Sequence, residues 1–222
     1  MSRSRFDRTA DRYAAAALRK DWTRFVELCR PRPDDRALDV AAGPGMLSAA
    51  LAPHVAQATA LDASAALLEH APAGVTRVVG AAEAMPFEDG SFDLVTIVNG
   101  LHHVADMGAT LQEMVRVLAP GGRIVVQDYL ADENPERAEL WERVERLRDP
   151  GHRRLPRPGE VPELLAEHGF EEDESQTWTA SWALDDWLEM AEPPDAAAAE
   201  IRRLVAADRF ELTAWRARFS ER

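Results

Sequence analysis

The stretch ALDVAAGPG, residues 37–45, decides the fold. A short apolar run interrupted by one acid, Asp39, is typical of a buried β-strand, and the Gly-Pro-Gly turn ends it. Gly43 and Gly45 permit backbone angles that other residues rarely adopt, and they let a ligand approach the main chain closely. A short helix is predicted over residues 46–52. Strand, glycine turn and helix in this order predict the first unit of an α/β sheet.

The rest of the chain continues this alternation. Strands are predicted at 57–62, 75–80, 92–100 and 123–129, helices at 64–71 and 110–118, and a helical region at 8–29. The APGG stretch at 119–122 is predicted to end the helix at 110–118. Farther on, helices are predicted at 135–148, 158–170 and 184–208, the last one interrupted at Pro193-Pro194, with a strand within 171–182 and another at 209–219. The pattern predicts an α/β, Rossmann-like, mostly parallel seven-stranded sheet with helices on both faces and a helical insertion before the last strand.

Composition excludes several classes of function. The chain of 222 residues has a net charge of −13, which argues against a surface that follows DNA or RNA phosphates and against binding to anionic membranes. Its one cysteine, Cys29, allows neither an intramolecular disulfide nor a cysteine-based zinc site, so we expect no metal and a reducing, cytoplasmic setting. No apolar run approaches the roughly 20 residues that span a bilayer.

Asp62 ends the second predicted strand, 19 residues after Gly43. Ligands of doubly wound sheets bind at the carboxyl ends of the strands, where a carboxylate can accept hydrogen bonds from two ribose hydroxyls. The glycine turn and Asp62 together predict a nucleoside-containing cofactor. The alternative is that Asp62 is a turn or helix-capping acid. Ser48 stands where the dinucleotide fingerprint has its third glycine, which disfavours a nicotinamide-dependent oxidoreductase without excluding it.

Four ordered segments carry a resemblance to a known family: ALDVAAGPGMLSAALA, ALDAS, GAAEAMPFEDGSFDLVTIVNGLHHVAD and LQEMVRVLAPGGRIVVQDY. Together they resemble class I S-adenosylmethionine-dependent methyltransferases, most closely the small-molecule branch that includes the ubiquinone and menaquinone biosynthesis C-methyltransferases. The segments run from about residue 36 to 129. RFDRTADRY near the start and LRDPGHRR at 147–154 are also similar to this branch.

The resemblance implies S-adenosylmethionine as cofactor, with S-adenosylhomocysteine as product. It implies that Gly43 and Gly45 pack under the methionine and ribose, that Asp39 orients the methionine amino group and that Asp62 holds the ribose. The other implied cofactor contacts are Tyr13, Ala41, Ala63, Ala82, Glu83, Ala84, Met85, Asn99 and Leu101. Relatives often have an acid at position 81 for the adenine amino group, where this chain has Ala81; Glu83 or a backbone carbonyl would have to replace it.

The resemblance also divides the chain into parts. We expect a single methyltransferase domain over 1–222, with a helical lid at 1–33, a cofactor-binding core at 34–130, and acceptor-side and C-terminal sheet elements at 131–222. Phe6 and Tyr13 either cover the cofactor or anchor the N-terminal helix to the sheet.

The acceptor side offers several candidate residues. His102 and His103 follow the fourth strand, so either one could be a base or orient the acceptor, and either could instead only shape the loop. Asp128, His152, Arg153 and Trp182 are candidates for acceptor binding, together with His103. Each has a structural alternative: Asp128 a structural role, the RDPGHRR segment a solvated loop, and Trp178, Trp182 and Trp187 ordinary core residues.

These observations favour methyl transfer to a small-molecule acceptor, with O-, C- or N-methylation of an aromatic, quinone or secondary metabolite all open. The alternative is a protein that binds the cofactor without transfer, such as a cyclase or a binding module. No Asn-Pro-Pro-Tyr or Asp-Pro-Pro-Tyr motif follows the fourth strand; NGLH stands there. We expect no nucleic-acid partner, no membrane span, and a monomer or homodimer.

Overall fold

A computed structural model describes residues 10, 11, 14, 15, 18, 20–205 and 209–221, without the side chains of 209 and 210. Phe6 and Tyr13, predicted either to cover the cofactor or to anchor the N-terminal helix to the sheet, lie outside the described residues. Within the described part of the chain, no helix is long and apolar enough to cross a membrane.

The sheet has seven strands in the order β3-β2-β1-β4-β5-β7-β6. Their bounds are β1 (Arg36–Val40), β2 (Gln57–Asp62), β3 (Val75–Val79), β4 (Phe92–Val98), β5 (Leu118–Leu130), β6 (Phe170–Ala183) and β7 (Arg209–Glu221). The first five strands pair in parallel, whereas β7 runs antiparallel to both β5 and β6. The Rossmann-like, mostly parallel α/β prediction is confirmed. The strand order reverses between β1 and β4, which is where ligands of such sheets bind.

The helices alternate with these strands. Their bounds are α1 (Thr23–Cys29), α2 (Met46–Leu51), α3 (Ala65–Leu68), α4 (Met107–Val117), α5 (Pro135–Arg148), α6 (Glu160–Glu167), α7 (Leu184–Ala191) and α8 (Asp195–Val205), with short 3₁₀ turns at Ala52–His54 and Leu101–His103. Polar residues begin several of them. Asp106 accepts the Ala109 N–H at the start of α4, and Asn134 accepts two N–H groups at the start of α5.

Alternation along the strands produces a core on each face of the sheet. Leu38, Val95 and Ile124 pack with α4 and α6, while their strand neighbours Ala37, Leu94 and Val125 pack with α1 and α2. Successive strand side chains point to opposite faces, so a parallel strand that is covered on both sides is apolar throughout. Helices therefore cover both faces, as predicted.

A third apolar cluster forms outside the main sheet. Val144, Trp187 and Ile201 bring α5, α7 and α8 together, and Leu155 and Leu212 join them. The inserted helices therefore have a core of their own, beside the ends of β5–β7.

The start of β5 differs from prediction. The sequence places a helix end and a turn at 119–122, with the strand beginning at 123, but Leu118 already pairs with Phe92. Pairing shifts register before Arg123 joins Leu94, so the glycine segment forms a bulge within the strand. Glycine at position 122 allows the backbone to lie this close to Leu118, because a Cβ there would lie 2.7 Å from the Leu118 side chain.

Candidate functional site

The carboxyl ends of the parallel strands open into one cavity of about 540 Å³. We call its two groups of lining residues the turn side and the aromatic side. The turn side comes from the loops after β1–β4 and includes Asp39, Ala41, Gly43, Asp62, Ala63, Ala82, Glu83 and Asn99. The aromatic side comes from β5–β7, α5, α7 and the loop after α5, and includes Tyr129, Glu145, Arg148, Asp149, Arg153, Leu155, Trp182, Trp187, Met190 and Leu212.

The two glycines of the turn serve different purposes. Both have positive φ, +55° at Gly43 and +69° at Gly45. A Cβ on Gly43 would meet nothing within 4 Å, so this backbone borders open space in the cavity. A Cβ on Gly45 would lie 2.8 Å from the Ala71 Cβ, and Gly45 is not among the lining residues. Gly43 therefore leaves room for a ligand, and Gly45 lets α2 begin against its neighbour.

Asp62 joins two loops at the end of β2. Its Oδ2 accepts the Gly43 N–H at 2.7 Å, and its Oδ1 accepts the Ser64 N–H at 2.8 Å. The cap of α3 is Ser64, whose hydroxyl accepts the Leu67 N–H. Asp62 thus holds the glycine turn against the β2 end, and it also lines the cavity.

Asp39 is a buried carboxyl on the turn side. Ser48 Oγ donates to its Oδ2 at 2.9 Å, and Thr96 Oγ1 lies 3.2 Å from its Oδ1. Desolvation by burial raises the pKa of Asp39 to about 7, although both hydroxyls lower it, and the negative charge of Asp62 adds to the rise. The site can therefore bind or release a proton at this carboxyl near neutral pH.

Asn99 follows β4 with a φ of +51°, an uncommon angle for a residue other than glycine. Its N–H bonds to the Gln127 carbonyl at 2.8 Å, which holds the loop to β5. Its amide Oδ1 is buried without a hydrogen-bond partner in the described structure. A hydrogen-bond donor on a ligand in the cavity would satisfy this oxygen.

The segment after β3 places only some predicted adenine contacts at the cavity. Ala82 and Glu83 line it, and Glu83 Oε1 also accepts the Ala105 N–H at 2.7 Å. Ala84 is exposed outside the lining, and Met85 is buried in the α4-side core, as is Leu101 after β4, another predicted cofactor contact. Glu83 is therefore the acid of this segment that borders the cavity.

His102 and Asp128 form a close pair. His102 Nδ1 lies 2.5 Å from Asp128 Oδ1, and the His102 backbone N–H points at Asp128 Oδ2 at 3.3 Å. Asp128 is fully buried at the end of β5, whereas His102 lines the cavity. Desolvation lowers the pKa of His102, but the charge and hydrogen bond of Asp128 outweigh it, so the pKa lies above its usual value.

The other two predicted histidines have different surroundings. His103 lines the cavity 4.1 Å from the His102 ring, and burial followed by repulsion from His102 lowers the pKa of His103 to about 3. His152 is buried behind His102 and does not line the cavity; its Nε2 lies 2.9 Å from Glu142 Oε2. His152 therefore holds the loop after α5 to Glu142.

Arg153 and Trp182, both candidates for acceptor binding, line the aromatic side. The backbone N–H of Arg153 donates to the His102 carbonyl at 2.8 Å, which brings the loop after α5 over the histidines. The Trp182 ring meets the Tyr129 ring edge-on at 5.5 Å. Trp187 also lines the cavity, whereas Trp178 does not; it lies under the Arg216 guanidinium.

Comparison with known proteins identifies the family. A family model described as a methyltransferase domain matches residues 38–126. The chain is 30% identical over 178 residues to the uncharacterized methyltransferase YcgJ of Bacillus subtilis, covering 77% of this chain and 70% of that protein. The crystal structure of Bacillus subtilis YcgJ matches with a TM-score of 0.84 over 94% of this chain and 99% of that chain, at 25% identity. The chain belongs to the S-adenosylmethionine-dependent methyltransferases.

A second relative is the demethylmenaquinone methyltransferase of Mycolicibacterium gilvum, 40% identical over 139 residues. That match spans 59% of this chain and 61% of the relative. The region matched by the family model, 38–126, contains the turn side of this methyltransferase, whereas the aromatic side comes from beyond its end.

Sequence reasoning missed part of the aromatic side of the methyltransferase. Glu145, Arg148 and Asp149 lie on or just after α5, spaced three and four residues apart as on one helix face. That spacing was visible, but nothing in the sequence showed that the face borders a cavity. Tyr129, Met190 and Leu212 gave no signal, because isolated apolar and aromatic residues are ordinary core positions.

Proposed function

We propose that this methyltransferase transfers the methyl group of S-adenosylmethionine to a small organic acceptor, with the cofactor on the turn side and the acceptor on the aromatic side. The observation that carries the proposal is the Asp62–Gly43 contact at the switch between β1 and β4, inside a cavity with room beside Gly43. When bound, the cofactor supplies an electrophilic methyl group on a sulfonium, so the protein mainly aligns the partners and excludes water.

The residues of the turn side fit this cofactor. S-adenosylmethionine carries an ammonium, two ribose hydroxyls and an adenine amino group, and all of them are hydrogen-bond donors. Asp39, Asp62 and Glu83 offer carboxylates, and Asn99 offers a buried oxygen without a partner in the described structure. Asp39 would face the ammonium, Asp62 the ribose and Glu83 the adenine, where it replaces the acid missing at Ala81.

The size and surface of the aromatic side support a small acceptor. Tyr129, Trp182, Trp187 and Met190 give it an apolar wall, and pockets for small molecules are commonly lined in this way. The net charge of −13 makes a nucleic-acid acceptor unfavourable. The relative named as a demethylmenaquinone methyltransferase is consistent with an organic ring compound as acceptor.

Isothermal titration calorimetry tests the cofactor site. We expect S-adenosylmethionine and S-adenosylhomocysteine to bind, and NADH not to bind. Asp62→Asn should weaken binding by about tenfold or more, because a charge-assisted hydrogen bond contributes roughly 1.5–3 kcal/mol. Asp34→Asn, at an exposed position outside the cavity, is the matched control. Unchanged affinity in Asp62→Asn would show that the cofactor does not bind here.

A further inference from the structure

We propose that His102 is the general base of the transfer, that Asp128 positions it, and that the acceptor is an aromatic compound carrying a hydroxyl group. This inference rests on the proposed function. His102 is the side chain that connects the buried end of β5 with the cavity: Asp128 is fully buried and does not line the cavity, whereas His102 does.

The hydrogen bonds of Asp128 determine which His102 nitrogen is free. Asp128 Oδ1 accepts from Tyr129 N–H at 2.7 Å and lies 2.5 Å from His102 Nδ1, while Oδ2 faces the His102 N–H at 3.3 Å. An ionised carboxylate that receives these donors requires the proton on Nδ1. The lone pair of neutral His102 is then on Nε2, the nitrogen that can take a proton from a ligand in the cavity.

The surroundings of the ring distinguish His102 from its neighbour. Three carboxyl groups act on the His102 ring: Asp128 from β5, Glu145 from α5 and Asp149 from the end of α5. Two histidines also face it, His103 from the same turn and His152 from the loop after α5. Lys20 lies within reach of the Asp128 charge. The three carboxylates keep His102 basic. At His103, burial and repulsion from His102 outweigh the charges of Asp149 and Asp128 and lower the pKa to about 3, which makes it a poor base.

The aromatic side favours a neutral ring over an ammonium. Arg148 lies over the Trp187 ring, 4.3 Å from its centroid, so that ring face is already covered by a cation. The Arg148 guanidinium also reaches Glu145 Oε2 at 3.3 Å. A cationic amine acceptor would have to compete with Arg148 for both partners. Tyr129 and Trp182, which pack edge-on against each other, both line the cavity, and aromatic side chains of this kind pack favourably against a planar ring.

The acceptor O–H loses its proton to His102 Nε2, the oxygen electron pair forms the new O–CH₃ bond, and the C–S bond breaks with its electrons passing to sulfur. The sulfonium charge is lost and His102 is left as an imidazolium beside Asp128. The ring then releases its proton to water.

Nuclear magnetic resonance tests the base without any acceptor. Long-range ¹H–¹⁵N spectra of histidine-labelled protein resolve the six histidines, and His102→Gln assigns the signal. We expect the Nδ1–H tautomer, and a pKa above the usual histidine range that falls in Asp128→Asn. An Nε2–H tautomer, or a pKa that is the same in Asp128→Asn, would overturn the assignment.

Transfer of radiolabelled methyl groups tests the acceptor class. Catechol, 3,4-dihydroxybenzoate and 1,4-dihydroxynaphthoate are compared with histamine and dimethylglycine. We expect O-methylation within the phenolic set only, a loss of about 100-fold or more in His102→Gln, and an acidic limb that moves to lower pH in Asp128→Asn. His54→Gln, at an exposed position that does not line the cavity, should retain the wild-type pH profile.

Two results would overturn this inference while the proposed function stands. The first is methylation of the amines, or of no member of either set, by protein that binds S-adenosylhomocysteine in the calorimeter. The second is a wild-type rate and pH profile in His102→Gln. Failure to bind S-adenosylhomocysteine would instead contradict the proposed function itself.

Discussion

Asp39 and Asp62 lie at or next to the carboxyl ends of neighbouring strands and have the same side chain, but their surroundings give them different properties. Asp62 accepts two backbone N–H groups at the edge of the cavity, whereas Asp39 is buried and accepts from side-chain hydroxyls. Burial penalises the charged form of Asp39, so its protonation depends on pH in the range where enzymes work.

The stability of the protein should therefore depend on Asp39. Its pKa is about 7 when folded, against about 3.9 for an unfolded chain, so the folded state binds more protons between these values and the free energy of unfolding falls as pH rises through that window. Asp39→Asn has no such dependence. Relative to wild type, it should gain on the order of 4 kcal/mol between about pH 4 and pH 7.

Urea unfolding at a series of pH values measures this difference. Asp34→Asn, which removes an exposed carboxyl, is the control and should follow the wild-type curve. Parallel curves for Asp39→Asn and wild type would contradict the raised pKa.

The two glycines of the turn provide a second comparison. Gly45→Ala combines a left-handed backbone with a 2.8 Å contact to Ala71, so we expect a loss of about 2–4 kcal/mol in the free energy of unfolding. Gly43→Ala has only the backbone penalty, about 1–2 kcal/mol, but its new methyl group lies in the cavity.

Denaturation and calorimetry together separate the two variants. Gly43→Ala should lose the more affinity for S-adenosylhomocysteine, and Gly45→Ala the more stability. The reverse order would show that Gly45, not Gly43, borders the cofactor.

At the scale of elements, β5 has a buried charged residue near each of its ends, and each of them holds another segment of the chain. Arg123 near its start is buried, pairs with Asp35 at 2.5 Å and donates to the Cys29 and Arg30 carbonyls at the end of α1. Asp128 near its end holds His102. The strand therefore holds α1 near its start and the His102 side chain near its end.

Removal of the buried guanidinium tests the first of these contacts. Arg123→Met leaves Asp35 without its cation and two carbonyls without donors, which should reduce the free energy of unfolding by about 3–5 kcal/mol. Arg137→Met breaks an exposed pair with Asp132 and should change it by less than about 1 kcal/mol. Urea unfolding measures both, and equal losses would mean that the Arg123 pair is not buried in solution.

At the scale of the whole molecule, the cavity joins the parallel sheet to the inserted helices. Turn-side residues come from loops of the sheet, and aromatic-side residues come from α5, α7 and the last strands. The apolar cluster of the inserted helices also contains Leu212, so β7 belongs both to the sheet and to the core of these helices. We therefore predict that they unfold as one cooperative unit.

Cofactor binding should stabilise this unit as a whole. At a concentration 100 times its Kd, S-adenosylhomocysteine should add about 2.7 kcal/mol to the free energy of unfolding, which raises Tm by roughly 5–11 °C for a chain of this size. Differential scanning calorimetry should show a single unfolding transition whose Tm rises when S-adenosylhomocysteine is added. Two transitions, of which only one shifts, would show that the inserted helices unfold separately.

The sequence alone determined the sheet and the turn side of the site. Strand periodicity, the glycine turn and Asp62 are local features, because a parallel strand buried on both faces must be apolar and a tight ligand-binding turn needs glycine. Most of the predicted cofactor contacts within the described residues line the cavity, among them Asp39, Gly43 and Asp62.

Only the tertiary structure decided the aromatic side and the chemistry of the histidines. Asp128 and His102 are 26 positions apart and meet because β4 and β5 are neighbours in the sheet. Glu145, Arg148 and Trp187 reach the cavity through the packing of inserted helices. A pKa depends on burial and on charges contributed by distant segments, so adjacent and identical residues such as His102 and His103 acquire opposite shifts once the chain has folded.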